Sequence, residues 1–252
     1  MNRPIVCTIG ITDPWNAAGL GLDVRALAEC GARAVGVVAG VSAQDARGIH
    51  SVHAIPAAAI EAQFEALAAA PVAAYRIGAL PGVDAIRAIA ARLANVSVPV
   101  VYDPVLGASS GGTFLDAAGV AAIASSLLPL ASIVTPNLHE AATLAGTPPI
   151  AGVDAMAEAA RALVRLGAAA ALVTGGHLPG DPVDVLFDGE LHHFEGTRLN
   201  ATMRGTGCLL ADALAAALAQ GVPLVRAVEE ARAYVRRKLG SAIEVGGMRV
   251  AD

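Results

Sequence analysis

The chain has 252 residues, of which 55% are hydrophobic, 15% charged and 3% aromatic. This composition excludes a disordered, collagen-like or coiled-coil protein, and the length suits one large domain or two small ones. The 17 Lys and Arg residues against 22 Asp and Glu give a net charge of −5 without a basic block, which argues against a broad nucleic-acid surface.

Short runs rich in β-branched residues recur along the chain and predict strands. They are residues 5–9, 34–38, 75–77, 98–102, 132–135, 170–174, 183–187 and 191–194. Alanine-rich segments with helical spacing lie between many of them, at 57–70, 83–94, 153–166 and 209–219. Because strands that alternate with helices form parallel sheets covered on both faces, the pattern predicts an α/β protein.

The last two predicted strands differ from the others. Asp188 and Gly189 form a tight turn between 183–187 and 191–194, which signals a hairpin. We therefore expect an antiparallel edge on a mostly parallel sheet. The chain shows no linker, internal repeat or shift in composition, so we expect residues 1–252 to form a single domain.

Three features of the sequence bear on membrane contact and on the cellular compartment of the protein. Residues 117–138 carry no formal charge and are long enough to span a membrane, but serines and prolines interrupt them. We expect a buried helix followed by a buried strand there, and no membrane contact. Cys7, Cys30 and Cys208 are odd in number and widely spaced, which indicates a reducing cytoplasm. The short apolar stretch 5–11 does not fit a signal peptide.

The segment 204–208, Arg-Gly-Thr-Gly-Cys, leads directly into the helical run 209–219. Its glycines permit close backbone approach, and a helix start offers N–H groups to an anion, for which phosphate is the natural candidate. A thiol pKa is commonly depressed in the first turn of a helix, so Cys208 is a candidate thiolate or proton-accepting base. A glycine-rich loop with a small buried Cys is the alternative.

Other polar residues follow predicted strands, where an open α/β sheet binds ligands. Asp103 follows 98–102 and Asn137 follows 132–135, and such groups could hold a hydrated Mg²⁺ and its phosphates. Asn137 is also suited to cap a helix with Glu140 at the third position, and both roles can hold together. The glycines after Thr174 permit close approach to a nucleotide or form a plain turn.

Two further residues have open interpretations. Gln44 offers an amide suited to a heteroaromatic ring edge, although most glutamines are merely solvated. Trp15, in the small-residue loop 10–21, either covers a ligand or shields the core. The six histidines show no metal-ligand spacing.

Taken in order, these segments resemble the hydroxymethylpyrimidine/phosphomethylpyrimidine kinases of thiamine biosynthesis, a branch of the ribokinase-like superfamily. The matching segments include DPWNAAGLGLD, SAQDARG, RIGAL, DPVLGASSGG, TPNLHEA, LVTGGH and RGTGC. The last is the most diagnostic, because most of the superfamily carries Asp where this branch carries Cys208.

The resemblance implies a three-layer α/β/α ribokinase-like fold, ATP and Mg²⁺ as cosubstrates, and a homodimer. It also implies ATP-dependent phosphorylation of 4-amino-5-hydroxymethyl-2-methylpyrimidine and then of its monophosphate. Cys208 would take the proton of the substrate hydroxyl, while the backbone of residues Gly205, Thr206, Gly207 and Cys208 forms the anion hole.

Further roles follow from matching positions in the family pattern. The pyrimidine-pocket positions are Ala18, Asp23, Gln44, Ala79 and Val105. The nucleotide positions are Asn137, Thr174, Gly176 and Arg204. The metal positions are Asp103 and Glu140.

The chain also departs from the family pattern. Arg204 replaces the His of HGTGCT, and Arg76 and Ala79 replace the Lys and Met of KIGM. Ser109 and Thr174 replace two lysines expected near phosphates, which removes charge that would stabilise the transition state. Arg204 could partly compensate for that loss.

Two alternatives to the pyrimidine kinase remain. One is a pyridoxal kinase-like enzyme, because some kinases of that vitamin share the Cys-bearing motif. The other is a catalytically weakened pyrimidine-binding paralogue. The missing lysines favour the paralogue, whereas the retained Cys208 and its glycines oppose it.

Overall fold

A computed structural model describes residues 3–107 and 112–252 of the chain. Ser109, expected to replace a family lysine, lies outside the described residues. Eleven strands and eight α-helices are described. The strands are β1 (Ile5–Thr12), β2 (Arg33–Asp45), β3 (Gly48–Ala54), β4 (Val72–Ile77), β5 (Val100–Tyr102), β6 (Ile133–Val134), β7 (Ala171–Val173), β8 (Val183–Phe187), β9 (Leu191–Glu195), β10 (Ile243–Val245) and β11 (Met248–Val250). The helices are α1 (Gly19–Glu29), α2 (Ala57–Ala66), α3 (Val83–Leu93), α4 (Ala117–Ala122), α5 (Leu138–Ala145), α6 (Val153–Arg165), α7 (Thr206–Ala219) and α8 (Leu224–Gly240).

Nine strands form one sheet in the order β3-β2-β1-β4-β5-β6-β7-β8-β9. The six strands from β2 to β7 are parallel, and β8 and β9 complete one edge as an antiparallel hairpin. This confirms the predicted mostly parallel sheet with an antiparallel edge. The opposite edge is also antiparallel, because β2 turns back into β3. The sequence pattern predicted a strand that ends at residue 38, whereas β2 continues to Asp45, and the hairpin of β2 and β3 was not predicted.

Side chains alternate between two apolar layers along the parallel strands. Cys7 and Ile9 of β1 pack in the cluster that includes residues of α2, α3 and α6, whereas Val6 packs in the cluster with α1, α7 and α8. Such alternation is the period-2 geometry of a strand that is covered on both faces. The molecule therefore has the three α/β/α layers that the resemblance implied.

Helix α7 is apolar on every side, and its surroundings explain why. It lies between the sheet and α8, and α1 packs beside it. Leu209, Ala211 and Leu214 are completely buried. A helix that is apolar all round is expected to be buried in this way. Its burial fixes the position of the loop before it.

The uncharged stretch 117–138 forms α4, a π-helical turn at Ile123–Leu127, a short 3-10 turn at Leu128–Leu130 and then β6. The expected buried strand is confirmed, but the expected buried helix is wrong, because α4 has six residues of which only Gly119 and Ala122 are buried. Within residues 3–107 and 112–252, no helix is both long and apolar enough to cross a membrane.

Besides β3, the unpredicted elements include α1, α8, β10 and β11. The predicted loop 10–21 is shorter than expected, because β1 extends to Thr12 and α1 already begins at Gly19. Two glycines in the first turn of α1 concealed its helical pattern, since glycine is a poor helix former.

Candidate active site

The predicted site residues follow neighbouring parallel strands at one edge of the sheet. Asp103 comes directly after β5, Asn137 after β6 and Thr174 after β7. The backbone N–H of Asp103 donates to the Ile77 carbonyl of β4 at 2.8 Å, and Asn137 forms a parallel bridge with Thr174. The fold therefore brings these residues together along the carboxyl ends of the strands, where ligands bind in such sheets.

The glycine loop before α7 opens a helix N-terminus beside Asp103. Gly205 has a left-handed φ of 78°, and a Cβ built on it would lie 2.6 Å from the Ala17 carbonyl oxygen, so the position requires glycine. The first bond within the helix runs from the Leu209 N–H to the Gly205 carbonyl, at 2.9 Å. No side chain caps this helix. Its first-turn N–H groups and partial positive charge suit an anion.

The Cys208 thiol is buried in this first turn, and burial raises its pKa. The carboxylates of Asp103, Asp23 and Asp212 raise the pKa further, and only Arg76 lowers it. The expected depression of the Cys208 pKa is therefore wrong. A helix start lowers a thiol pKa when the thiol is accessible and its neighbours are cationic, but here loss of solvent and three acidic neighbours outweigh it.

Arg76 lies at the centre of a fully buried ionic network beneath the site. Its Nη1 lies 3.3 Å from Asp23 Oδ2, its Nη2 3.1 Å from Asp103 Oδ2 and its Nε 3.2 Å from Asp212 Oδ1. The Thr8 hydroxyl also donates to Asp23, at 2.6 Å. One guanidinium thereby connects α1, the end of β5 and the first turns of α7.

The network contains three aspartate side chains, Asp23, Asp103 and Asp212, around the single cation Arg76. Burial, followed by the neighbouring Asp23, raises the pKa of Asp212 well above its ordinary value. Burial also raises the pKa of Asp103, to about 6, although Arg76 opposes this, and the pKa of Asp23 is raised for the same reason. The cluster is arranged around one shared positive charge.

Asp23 is buried more deeply than the other residues assigned to the ring pocket. Its Oδ2 contacts Arg76 and Thr8, whereas its Oδ1 is buried without a hydrogen-bond partner among the described residues. One side of the carboxylate is therefore held by the network beneath the site. The assignment of Asp23 to the ring pocket stays a prediction.

The predicted cap at the start of α5 is confirmed. The Glu140 N–H donates to Asn137 Oδ1 at 3.0 Å, and the Asn137 N–H donates to Glu140 Oε2 at 2.9 Å. Burial and the negative charge of Asp103 raise the pKa of Glu140 to about 8. Two buried carboxyl groups that repel each other in this way fit a hard divalent cation, which would relieve the repulsion.

No group of three or more His, Cys, Asp or Glu side chains in the described parts of the chain could hold a metal ion. Asp103 and Glu140 would therefore be the protein ligands, with water and phosphate oxygens completing the set. This division is usual for Mg²⁺, which retains several waters and takes one or two carboxylates.

Small, half-buried residues occupy the other positions assigned to the pyrimidine pocket. Ala18 lies just before α1, and its N–H donates to Asp13 Oδ2 at 3.3 Å. Ala79 follows β4, and its carbonyl lies against Gly10. The Val105 N–H donates to the Asp103 carbonyl at 2.8 Å. All three lie after adjacent strands of the same sheet edge.

Gln44 and Arg204 contact each other. Arg204 Nη2 donates to Gln44 Oε1 at 3.3 Å, and Nη1 donates to the Asp45 carbonyl at 2.7 Å. The Arg204 backbone N–H donates to the Arg249 carbonyl of β11 at 2.9 Å. Arg204 thus joins the hairpin of β2 and β3 to the hairpin of β10 and β11, immediately before the glycine loop.

Trp15 packs beneath the C-terminal hairpin. A Cβ built on Gly246, in the turn between β10 and β11, would lie 2.5 Å from Trp15 Cη2. The indole still has 43% of its surface exposed. It therefore lies at the rim of the site against the hairpin turn, and not in the core.

Arg198, which was not predicted as a site residue, holds the loop after β7 that carries Gly176 by hydrogen bonds. Arg198 donates from Nη1 to the Gly176 carbonyl at 3.0 Å, from Nη2 to the Leu178 carbonyl, and from its backbone N–H to Asp181 Oδ1 at 2.8 Å. Nothing in the sequence near residue 198 indicates these contacts.

Asp212 was also missed, although the sequence held a signal for it. It is the single charged residue in the run 209–219, and Arg76 is the single charged residue in the run 72–77. A lone charge in an apolar element must be paired when it is buried. The two isolated charges of opposite sign could have predicted each other.

Comparison with known proteins gives consistent results. A family model described as phosphomethylpyrimidine kinase matches residues 13–251. The hydroxymethylpyrimidine/phosphomethylpyrimidine kinase of Rhizobium meliloti (strain 1021) is 39% identical over 249 residues, which are 96% of this chain and 93% of that protein.

Two solved structures superpose closely on the chain. The ADP complex of Bacillus subtilis pyridoxal kinase has a TM-score of 0.93 and 27% identity, and the match covers 100% of this chain and 97% of that one. The phosphomethylpyrimidine kinase of Clostridium difficile 630 has a TM-score of 0.82 and 28% identity, with 94% and 99% covered.

Proposed function

The chain belongs to the phosphomethylpyrimidine kinase family, and on this basis we propose that it phosphorylates 4-amino-5-hydroxymethyl-2-methylpyrimidine and its monophosphate with ATP in thiamine biosynthesis. The observation that carries the proposal is the uncapped start of α7 at Gly205–Cys208, next to Asp103. Phosphoryl transfer depends mainly on positioning and charge stabilisation, and these residues supply both.

The anion hole consists of the N–H groups of Thr206, Gly207 and Cys208, which would hold the transferring phosphoryl group. Gly207 supports this assignment because a Cβ built on it would lie 3.7 Å from Asp103 Oδ1, so the loop directly adjoins the acidic end of β5. Fixed donors in a site that excludes water stabilise developing negative charge.

Cys208 is the proposed acceptor of the substrate hydroxyl proton. Because its pKa is raised, the resting protein holds a protonated thiol that hydrogen-bonds the Asp103 carboxylate. The thiol would therefore have to pass its proton to the Asp103 carboxylate, to which it is hydrogen-bonded, before its sulfur could accept the proton of the substrate hydroxyl. Positioning by the anion hole contributes regardless of this step, since phosphoryl transfer requires little covalent assistance.

Asp103 and Glu140 are the proposed Mg²⁺ ligands, and Asn137, Thr174 and Gly176 the proposed nucleotide residues. Bound Mg²⁺ would neutralise phosphate charge during transfer. Thr174 stands where the family carries a lysine, so less fixed positive charge is available there. We assign the nucleotide to this side because Asn137 and Thr174 bridge directly across the ends of β6 and β7.

Pyridoxal is the second candidate substrate. The TM-score of 0.93 to a pyridoxal kinase favours it, as does Ala79, which leaves more room than the family's methionine. Both compounds carry a hydroxymethyl group on a heteroaromatic ring, so one anion hole could serve either.

We further propose that residues 1–252 form one domain, that the protein acts in the cytoplasm and that it forms a homodimer. One sheet that collects strands from residue 5 to residue 195 supports the single domain. The three free cysteines support a reducing compartment. The homodimer rests on the family resemblance.

The test is a substrate panel with Mg²⁺ and ATP, in which products are identified by mass. The panel contains the pyrimidine alcohol, its monophosphate and pyridoxal. We expect both phosphorylated pyrimidines, and a Cys208→Ala variant should lose about 10²–10⁴-fold in kcat if Cys208 is the base. Tight pyrimidine binding without turnover would instead identify a weakened paralogue.

A further inference from the structure

The Arg204 guanidinium lies on the side of the site that carries Gln44, the residue proposed to contact the substrate ring. Its guanidinium contacts Gln44, Asp45 and the Met248 sulfur, which belong to β2 and β11. In the sheet, β2 lies five positions from β7, which precedes Thr174. At about 4.8 Å per strand, these strands are separated by about 24 Å, more than an arginine side chain spans. A single arginine in this position cannot also contact the Thr174 region.

The contact with Arg204 determines which way the Gln44 amide faces. A guanidinium has only donors, so the amide atom that meets it must be the oxygen. The NH₂ group of Gln44 consequently points away from Arg204. It donates no hydrogen bond to another residue within 3–107 and 112–252.

An amide held in this way presents a defined pattern to a ligand. Nε2 can donate to a ring nitrogen, and the second lone pair of Oε1 can accept from an adjacent amino group. A 4-aminopyrimidine has an acceptor nitrogen next to an amino group. In pyridoxal a methylated carbon separates the ring nitrogen from the phenolic oxygen, and no amino group is present, so the paired contact cannot form.

We propose that Arg204 is a positioning residue that fixes the orientation of the Gln44 amide and thereby selects an aminopyrimidine edge over the pyridoxal edge. This inference rests on the proposed function, because it assumes that Gln44 faces the substrate ring. Arg204 adjoins Gly205, so the same residue connects ring recognition to the anion hole. The expectation that Arg204 compensates for the lysine missing at Ser109 stays a prediction, because Ser109 lies outside the described residues.

The test measures binding independently of turnover. Calorimetry on the full chain would compare the Kd of 4-amino-5-hydroxymethyl-2-methylpyrimidine with that of its analogue lacking the amino group. The variants are Arg204→Ala, Arg204→Lys, Gln44→Ala and the double Arg204→Ala/Gln44→Ala. Arg226→Ala is the matched control, because Arg226 lies on the surface of α8 and pairs with Glu229 and Glu230.

We expect Arg204→Ala to weaken binding of the amino compound about tenfold and to weaken binding of the analogue less, since the analogue can use only one of the two contacts that the fixed Gln44 amide offers. In the Gln44→Ala background the same change should have no more than about a twofold effect. Arg204→Lys should give an intermediate loss, because one ammonium cannot reproduce the fork. Kinetic assays should show a raised KM for the pyrimidine with the KM for ATP unchanged.

Equal weakening of both ligands, additive losses in the double variant, or a raised KM for ATP would overturn the inference. A raised KM for ATP would indicate that Arg204 acts on the ATP phosphates. Failure of the proposed function would look different, because the unmodified protein would then bind the pyrimidine and transfer no phosphate. If the unmodified protein binds no pyrimidine at all, both proposals are wrong. Thermal unfolding of each variant would verify that it is folded.

Discussion

The guanidinium Nε of Arg76 lies 3.2 Å from Oδ1 of Asp212, one helical turn beyond Cys208 on α7. Both side chains are almost completely inaccessible to solvent. The pair therefore fixes α7 to the end of β4 directly beneath the anion hole. Because burial raises the pKa of Asp212 well above its ordinary value, whereas Arg76 holds its charge, we expect the two residues to contribute unequally to stability.

Replacing each partner should reveal this inequality. Arg76→Gln leaves Asp23 and Asp103 without their cation and should lower the free energy of unfolding by about 3–5 kcal/mol. Asp212→Asn replaces the carboxyl group with an amide of the same shape, and because the raised pKa favours the protonated form of Asp212, the change should cost less than about 1 kcal/mol. Urea unfolding measures both, with Arg226→Gln as the surface control. Equal losses for the two variants would show that Asp212 is charged.

Glu140 should make stability depend on pH in the absence of metal. Its pKa rises to about 8 on folding, from 4.5, so the folded state favours the protonated form. The free energy of unfolding should therefore fall as the pH rises from about 5 to 8, by about 1.4 kcal/mol for each unit of pKa shift.

Glu140→Gln imitates the protonated side chain and keeps the cap acceptor at the start of α5. At pH 8 this variant should be more stable than the unmodified protein, and the difference should vanish near pH 5. Glu158→Gln, an exposed change on α6, is the control. A constant difference between pH 5 and pH 8 would contradict the assigned shift.

The Cys208 thiol should react slowly. Since its pKa is raised, the thiolate fraction at pH 7.5 is smaller than that of glutathione, and alkylation by iodoacetamide should be at least about tenfold slower. Mass spectrometry of digested protein locates the label, and Cys208→Ala identifies its peptide. Rapid labelling at Cys208 would contradict the raised pKa and would support the reactive thiolate expected from its position at a helix start.

Trp15 is the only tryptophan in the chain, so its fluorescence reports on the C-terminal hairpin. Gly246→Ala places a methyl group against the indole and should displace it, which shifts the emission to the red. Gly221→Ala is the matched control, because Gly221 also has positive φ but nothing lies within 4 Å of its built Cβ. Both variants should lose about 1–2 kcal/mol from backbone strain. Unchanged emission in Gly246→Ala would show that the hairpin does not cover Trp15.

Features set by neighbouring residues were predictable from the sequence. The Asp188-Gly189 turn predicted the hairpin of β8 and β9, and the spacing of Asn137 and Glu140 predicted the cap of α5. Each depends on residues within a few positions of one another, where turn and capping chemistry act directly.

Features set by distant residues were not predictable in the same way. The Cys208 pKa depends on Asp23 and Arg76, which are far away in the chain, and local reasoning from a helix start gave the wrong sign. The contact of Asp23 with Arg76 has the same cause, because a family motif records which residue is present and not which distant residue it contacts. The hairpin of β10 and β11 owes its place to contacts of Trp15 and Arg204.

A competition assay tests whether the protein phosphorylates the pyrimidine in preference to pyridoxal. Equimolar 4-amino-5-hydroxymethyl-2-methylpyrimidine and pyridoxal would share a limiting amount of ATP with Mg²⁺ in one reaction, and mass spectrometry would give the ratio of phosphorylated products. The account predicts that the phosphorylated pyrimidine predominates. Predominance of pyridoxal phosphate, or ATP left unconsumed with both compounds present, would contradict it.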